Sequence, residues 1–105
     1  MIVSILESDW KYLRKIEADL LATLCNRINT KSQKILNEGS LSEHEKYLNL
    51  YRHIKKSDKI IADCFNDWRR SNIDIKIRAL WHHDLLKDGH LNNMSDGIRT
   101  LVEVL

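Results

Sequence analysis

The sequence predicts an all-α protein, a long antiparallel helical hairpin with a small C-terminal helical head, assembled as a dimer. Three observations predict it. Proline is absent and glycine occurs only three times in 105 residues. These two residues punctuate turns, so their scarcity points to few turns and long helices. Two long stretches, residues 10–35 and 47–68, repeat apolar residues in steps of three and four, the period of one helix face. Only a short connection separates them, so the second helix must fold back beside the first. At this length the chain has room for one domain over residues 1–105, with residues 1–71 as hairpin and 72–105 as head.

Residues 1–7 are apolar but brief (Ile2, Val3, Ile5, Leu6) and suit an arm or the frayed start of the first helix. Ser8 before Asp9 offers an N-cap with acid in the first turn, where the helix dipole favours negative charge. Trp10, Leu13, Leu20, Leu24, Ile28 and Ile35 then keep a helical period to about Asn37, and Gly39 suits a left-handed C-terminal cap. Ser42 followed by Glu45 is a capping-box pair and opens the second helix. Tyr47, Tyr51, Ile54, Ile61, Phe65 and Trp68 form its apolar stripe, broken at Asp58, and the opposite face carries Lys46, Arg52, Lys55, Lys56 and Lys59. The period carries this helix to Ser71, with Leu24 and Phe65 as candidate core residues.

Beyond it, Ile73, Ile75 and Ile77 alternate with Asp74, Lys76 and Arg78, a pattern that alone could be a strand. A strand would have no partner in this chain, and Ile73, Ile77, Leu80 and Trp81 share a helix face. A third helix ending near His83-Asp84 is the expectation. A short helix from about Asp88 to Asn93 follows, then a last one capped by Ser95 and carrying Ile98, Leu101, Val102 and Leu105. Segments this short cannot form a core alone, so they are expected to fold as a head against one end of the hairpin.

Composition narrows the function. Charged residues make up 30% of the chain with a net charge of only +2. That is a mixed-sign soluble surface and not the footprint of a nucleic-acid binder. No apolar run approaches the roughly 20 residues that span a bilayer. Cys25 and Cys64 fall inside helices, and with no signal peptide in view they are expected as reduced thiols in a cytoplasmic protein. Five histidines invite a metal reading, but there is no His-Glu-x-x-His and no Cys-x-x-Cys, and adjacent His82 and His83 point to different sides of a helix. No phosphate loop or nucleophile motif is present. Asp63 and Asp67 lie four apart and could serve as an acid/base pair, or as a charged edge bridging Arg70 and neighbouring cations. No enzyme, cofactor or metal is expected. Three tryptophans and three tyrosines exceed what so small a monomer readily hides, and interfaces concentrate aromatics and arginine. An interaction protein, dimeric, fits best.

The residues of the second half also carry a likeness. Asp63, Asp67, Arg69 and Ser71 near the helix end, and the spacing of Leu80, Leu85-Leu86, Leu91 and Met94-Ser95, resemble the fluorescence recovery protein family of small all-helical regulators. The likeness runs from about Leu48 to Leu105, and Leu20-Leu21-Ala22-Thr23 looks similar in the first half, although the hairpin connection is longer here. The resemblance implies a dimer of long antiparallel helices with small heads. It further implies a partner, the carotenoid-binding C-terminal domain of the orange carotenoid protein, whose return from the red to the orange state such proteins speed. The family's contact patch has a Trp, a His-Asp pair and a later Arg. Here the Trp position is Leu48 or Asn49, the pair is Tyr51-Arg52 or Arg52-His53, and Lys59 roughly keeps the later charge. The acid is thus replaced by a base or a histidine, which disfavours the same partner surface.

The expected partner-binding residues are Arg52, His53, Lys56 and Lys59, with Asp63 and Arg69 further along. Asp63, Asp67 and Arg69 would equally suit holding the head in place through charge-assisted bonds. The alternative function is a small helical nucleic-acid-binding or phage/plasmid-type accessory protein using the Lys/Arg face.

Overall fold

A computed structural model describes residues 5–103. Five helices run in order: α1 (Glu7–Leu36), α2 (Glu43–Phe65), α3 (Ile73–His82), α4 (Asp88–Leu91) and α5 (Asp96–Glu103). The described residues contain no strand, so the helical reading of the alternating isoleucines holds. The molecule is elongated, with extents of 52 × 24 × 23 Å. The arm expected of Ile2 and Val3, and the expected role of Leu105, lie outside the described residues.

Local chemistry sets the helix ends. Ser42 opens α2 as expected: its hydroxyl accepts from the Glu45 N–H at 3.1 Å and its own N–H donates to the Glu45 carboxylate at 3.0 Å. α1 starts earlier than Ser8, at Glu7, with Leu6 in the capping position. Leucine has no oxygen to offer, so only half the exchange forms, the Leu6 N–H donating to Asp9 Oδ2 at 3.2 Å. α2 ends at Phe65, six residues short of Ser71. Asp67 takes a left-handed backbone with φ 59°, and the Asn72 side chain stitches the turn, accepting from the Arg69 N–H and donating to the Asp67 carbonyl. Trp68 lies past the helix, and its indole N–H donates to the Cys64 carbonyl at 2.7 Å, satisfying one of the helix's free terminal acceptors. Lys76 donates to the Asp63 carbonyl and to the Ala62 carbonyl, which also accepts from the Asn66 N–H. α4 is shorter than expected, ending at Leu91.

The core gathers at one end. Leu13, Leu20 and Leu24 of α1, Cys64 of α2, and Ile73, Ile77, Leu80, Leu85, Leu86, Leu91, Ile98, Leu101 and Val102 form its buried cluster. Beyond Leu24 in α1 and before Ser57 in α2 no residue is buried. α1 and α2 pack together, but of the expected stripe only the later part, Ile61, Phe65 and Trp68, packs against the core. The residues α2 turns inward are His53, Ser57, Ile60 and Cys64, of which Ser57 and Cys64 are buried. Tyr47, Tyr51 and Ile54 stay 62%, 56% and 40% exposed, and Phe65 is half-buried, stacked 6.1 Å from Trp68. Small residues let the two backbones approach where tyrosine rings would not. Ser57 costs little to bury because its hydroxyl donates to the His53 carbonyl at 2.8 Å. Lys46, placed by its period on the outer face, is also drawn partly inward, its side chain only 18% exposed beside Glu43.

A candidate partner-binding groove

Four of the six expected site residues come together. Arg52, His53, Lys56 and Lys59 of α2 join Lys55, Asn49 and, from α1, Lys31 and Ile35 around a groove of about 580 Å³. It continues through Lys31, Ile35 and Asn49 into a second hollow of about 740 Å³ that also meets Lys34 and Leu41. The groove runs beside the seam between α1 and α2. Lys31, Arg52, Lys55, Lys56 and Lys59 make no ion pair among the described residues, and no acidic side chain lines this stretch. The Arg52 guanidinium donates to Asn49 Oδ1 at 3.1 Å, which turns it along the helix. His53 is less free: its Nε2–H donates to the Ile28 carbonyl at 2.9 Å, so it is a wall of the furrow and a tie between the helices.

Asp63 and Arg69 lie elsewhere. Asp63 borders a different hollow with Lys76, Arg78, His82 and His83. The Arg78 Nε there is buried without a hydrogen-bond partner among the described residues. Arg69 donates from Nε to Asp67 Oδ1 at 2.8 Å within the turn after α2. That bond and the carboxylate charge hold the guanidinium above its usual range. Arg69 does not reach the head, nor does the Asp63–Asp67 pair form, because the turn separates them.

The long-range polar ties are made by residues to which the sequence assigned no long-range partner. Arg27 spans from α1 to the end of α3, donating to the His83 and Asp84 carbonyls at 2.9 Å each. Arg70, not Arg69, reaches α1, pairing with Glu7 at 2.8 Å and lying over Trp10 at 5.3 Å. Asp9 is fully buried and accepts from the Ser95 N–H at 2.8 Å and the Ser95 hydroxyl at 2.6 Å. Ser95 does precede α5 as expected, but its hydroxyl proton goes to Asp9. No sequence signal marks these contacts, since each depends on which distant segment arrives beside it.

Cys64 is the one group whose ionisation burial moves far. Desolvation first, then the charge of Asp63, pushes its thiol from 9.0 to about 11, with Lys76 opposing. At pH 8 only about one in a thousand would be thiolate, the nucleophilic form. A maleimide at pH 8 is expected to label half-buried Cys25 well before Cys64, followed by peptide mass spectrometry. Equal labelling rates would contradict the packing at the α2–α3 junction. The sign for stability follows: above pH 9 the unfolded thiol ionises while the folded one keeps its proton. Stability therefore falls as pH rises from about 9 to 11.

Among the described residues no group of histidine, cysteine and carboxylate side chains is placed to hold a metal, and no helix is long and apolar enough to cross a membrane. The described residues form an all-helical structure of five helices with a basic furrow on one flank of α2. No family model, curated protein or solved structure matches the chain.

Proposed function

We propose that this chain is a non-catalytic, cytoplasmic regulator that works by binding a partner protein, built as an antiparallel helical hairpin with the α3–α5 head at one end and paired as a homodimer. The observation that carries the reading is the exposed row of Tyr47, Tyr51 and Ile54, with exposed Leu36 at the end of α1. At about 100° per residue this row sits on the flank of α2 away from Arg52, Lys56 and Lys59. A second copy offers the same row, and a two-fold contact is self-complementary by construction. The arrangement leaves the basic flank free on each chain for the partner.

The resemblance to fluorescence recovery proteins supplies one specific partner, the carotenoid-binding C-terminal domain of an orange carotenoid protein. Arg52 and His53, standing where that family has an acid, favour a partner surface of opposite sign to the usual one. Two measurements test the reading. Sedimentation equilibrium at tens of micromolar is expected to give twice the 12.4 kDa chain mass. The double substitution Tyr51→Glu, Ile54→Glu is expected to give the single mass with helicity retained. A parent species of one chain mass would overturn the dimer. The rate of red-to-orange recovery, with and without the chain, tests the carotenoid partner. An unchanged rate removes that partner and leaves the assembly standing.

A further inference from the structure

We propose that the furrow between α1 and α2 is a docking site for an acidic amphipathic helix of a partner protein. The proposal rests on the reading above that the chain works by binding a protein, and adds the chemistry of what is bound.

Charge selects the sign. Lys31, Arg52, Lys55, Lys56 and Lys59 converge on a stretch of the furrow that no acid lines, Glu38 bordering only its continuation. They make no ion pair among the described residues, and the whole chain carries only +2. Positive charge is therefore concentrated here and offset elsewhere, which steers a carboxylate-bearing segment to this flank.

Shape and polarity select a helix. Half-buried Ile35 lines the furrow, and lysine and arginine side chains lay apolar stems along such a surface while their charged ends stay at the rim. A furrow between two packed helices, with an apolar lining and a cationic rim, accepts a third helix whose apolar residues recur at i, i+3, i+4 and i+7 with acids beside them. From Asn49 to Lys59 the wall is about 15 Å long at ~1.5 Å per residue, matching roughly three helical turns. A nucleic acid would use the cations but gain nothing from the apolar lining, and it would meet too little net charge for strong phosphate binding.

The test is fluorescence anisotropy with the full chain and a labelled peptide of about 12–14 residues, leucine at the helical spacing and glutamate elsewhere. Two competitors accompany it: a peptide of the same composition with the leucine spacing scrambled, and a duplex DNA of similar length. The patterned peptide is expected to bind about tenfold or more tighter than the scrambled one. The double substitution Lys56→Glu, Lys59→Glu is expected to weaken it about tenfold at unchanged helicity, since exposed charges contribute little to folding. Should that variant lose helicity, Arg52→Glu serves in its place. Equal affinity for the scrambled peptide would reduce the furrow to a polyanion surface, and tighter binding of the duplex would make it a nucleic-acid face. Either result, or no binding, overturns the proposal. Sedimentation of the same samples separates the two readings. A dimer that ignores the peptide sinks the docking site alone, and a peptide-binding monomer sinks the dimer alone.

Discussion

Replacing Asp9 with alanine is expected to lower the unfolding free energy by about 3 kcal/mol, the largest loss from any single polar side chain in this molecule. Asp9 is fully buried and is the only acceptor shown for three donors: the Leu6 N–H, the Ser95 N–H and the Ser95 hydroxyl. Alanine removes the acceptor from all three donors, two of them on half-buried Ser95, while Leu6 is largely exposed and its N–H can turn to water. Each unsatisfied buried group costs about 1–3 kcal/mol, and a backbone N–H cannot leave as a side chain can. The bonds also close the longest loop in the molecule, fixing the start of α1 to the entry of α5. Ser95→Ala is expected to cost less than Asp9→Ala, because it deletes one donor and keeps the carboxylate's two backbone partners. Urea denaturation midpoints check both. If Asp9→Ala unfolds at the parent's midpoint, water must reach the site and the anchor reading fails.

Asp9 also shows why part of the design was hidden from sequence reasoning. Its place three residues into α1 was legible as helix-dipole chemistry. Its partner, 86 residues away, was not. The same holds for Arg27, whose acceptors lie 56 and 57 residues on. Cap chemistry at Ser42 was readable because both halves of the exchange lie within four residues. The seam of α2 was misplaced for a different reason. Apolar periodicity marked Tyr47, Tyr51 and Ile54 as the packing face, but close approach to α1 favours the small pair Ser57 and Cys64, and a hydrogen-bonded serine carries no hydrophobic signal. Arg52, His53, Lys56 and Lys59 share one flank of α2 and line one furrow, while the α1 wall of Lys31 and Ile35 was unseen. Asp63 and Arg69 were grouped with them on the family likeness; Asp63 stays within α2 but borders another hollow, and only Arg69 lies past the helix end. The left-handed turn at Asp67 redirects the chain before Arg69.

Ile77→Ala is expected to cost about 2–5 kcal/mol, whereas Ile75→Ala, two residues earlier, is expected to change stability by no more than about 0.5 kcal/mol. The contrast follows from the helical period of α3. Ile73 and Ile77 are four apart and share the buried face, 1% and 0% exposed, next to Leu80. Ile75 falls between them on the outer side and is 60% exposed. Truncating Ile77 removes apolar atoms from water-free surroundings and leaves a cavity that rigid neighbours on α2 and α5 fill only partly. Truncating Ile75 removes atoms that already meet solvent and replaces a β-branched residue with a better helix former. The pair of variants also discriminates between two structures. In a strand, Ile73, Ile75 and Ile77 would lie on one face and the two substitutions would cost alike. Denaturation midpoints that move equally would contradict the helix, however well its ends are capped. A midpoint that moves only for Ile77 fixes the face on which the head meets α2. Ile75, left outside that face, lines the hollow beside Asp63 with Lys76 and Arg78. The same helix thus closes the core with one side and borders the molecule's second charged surface with the other.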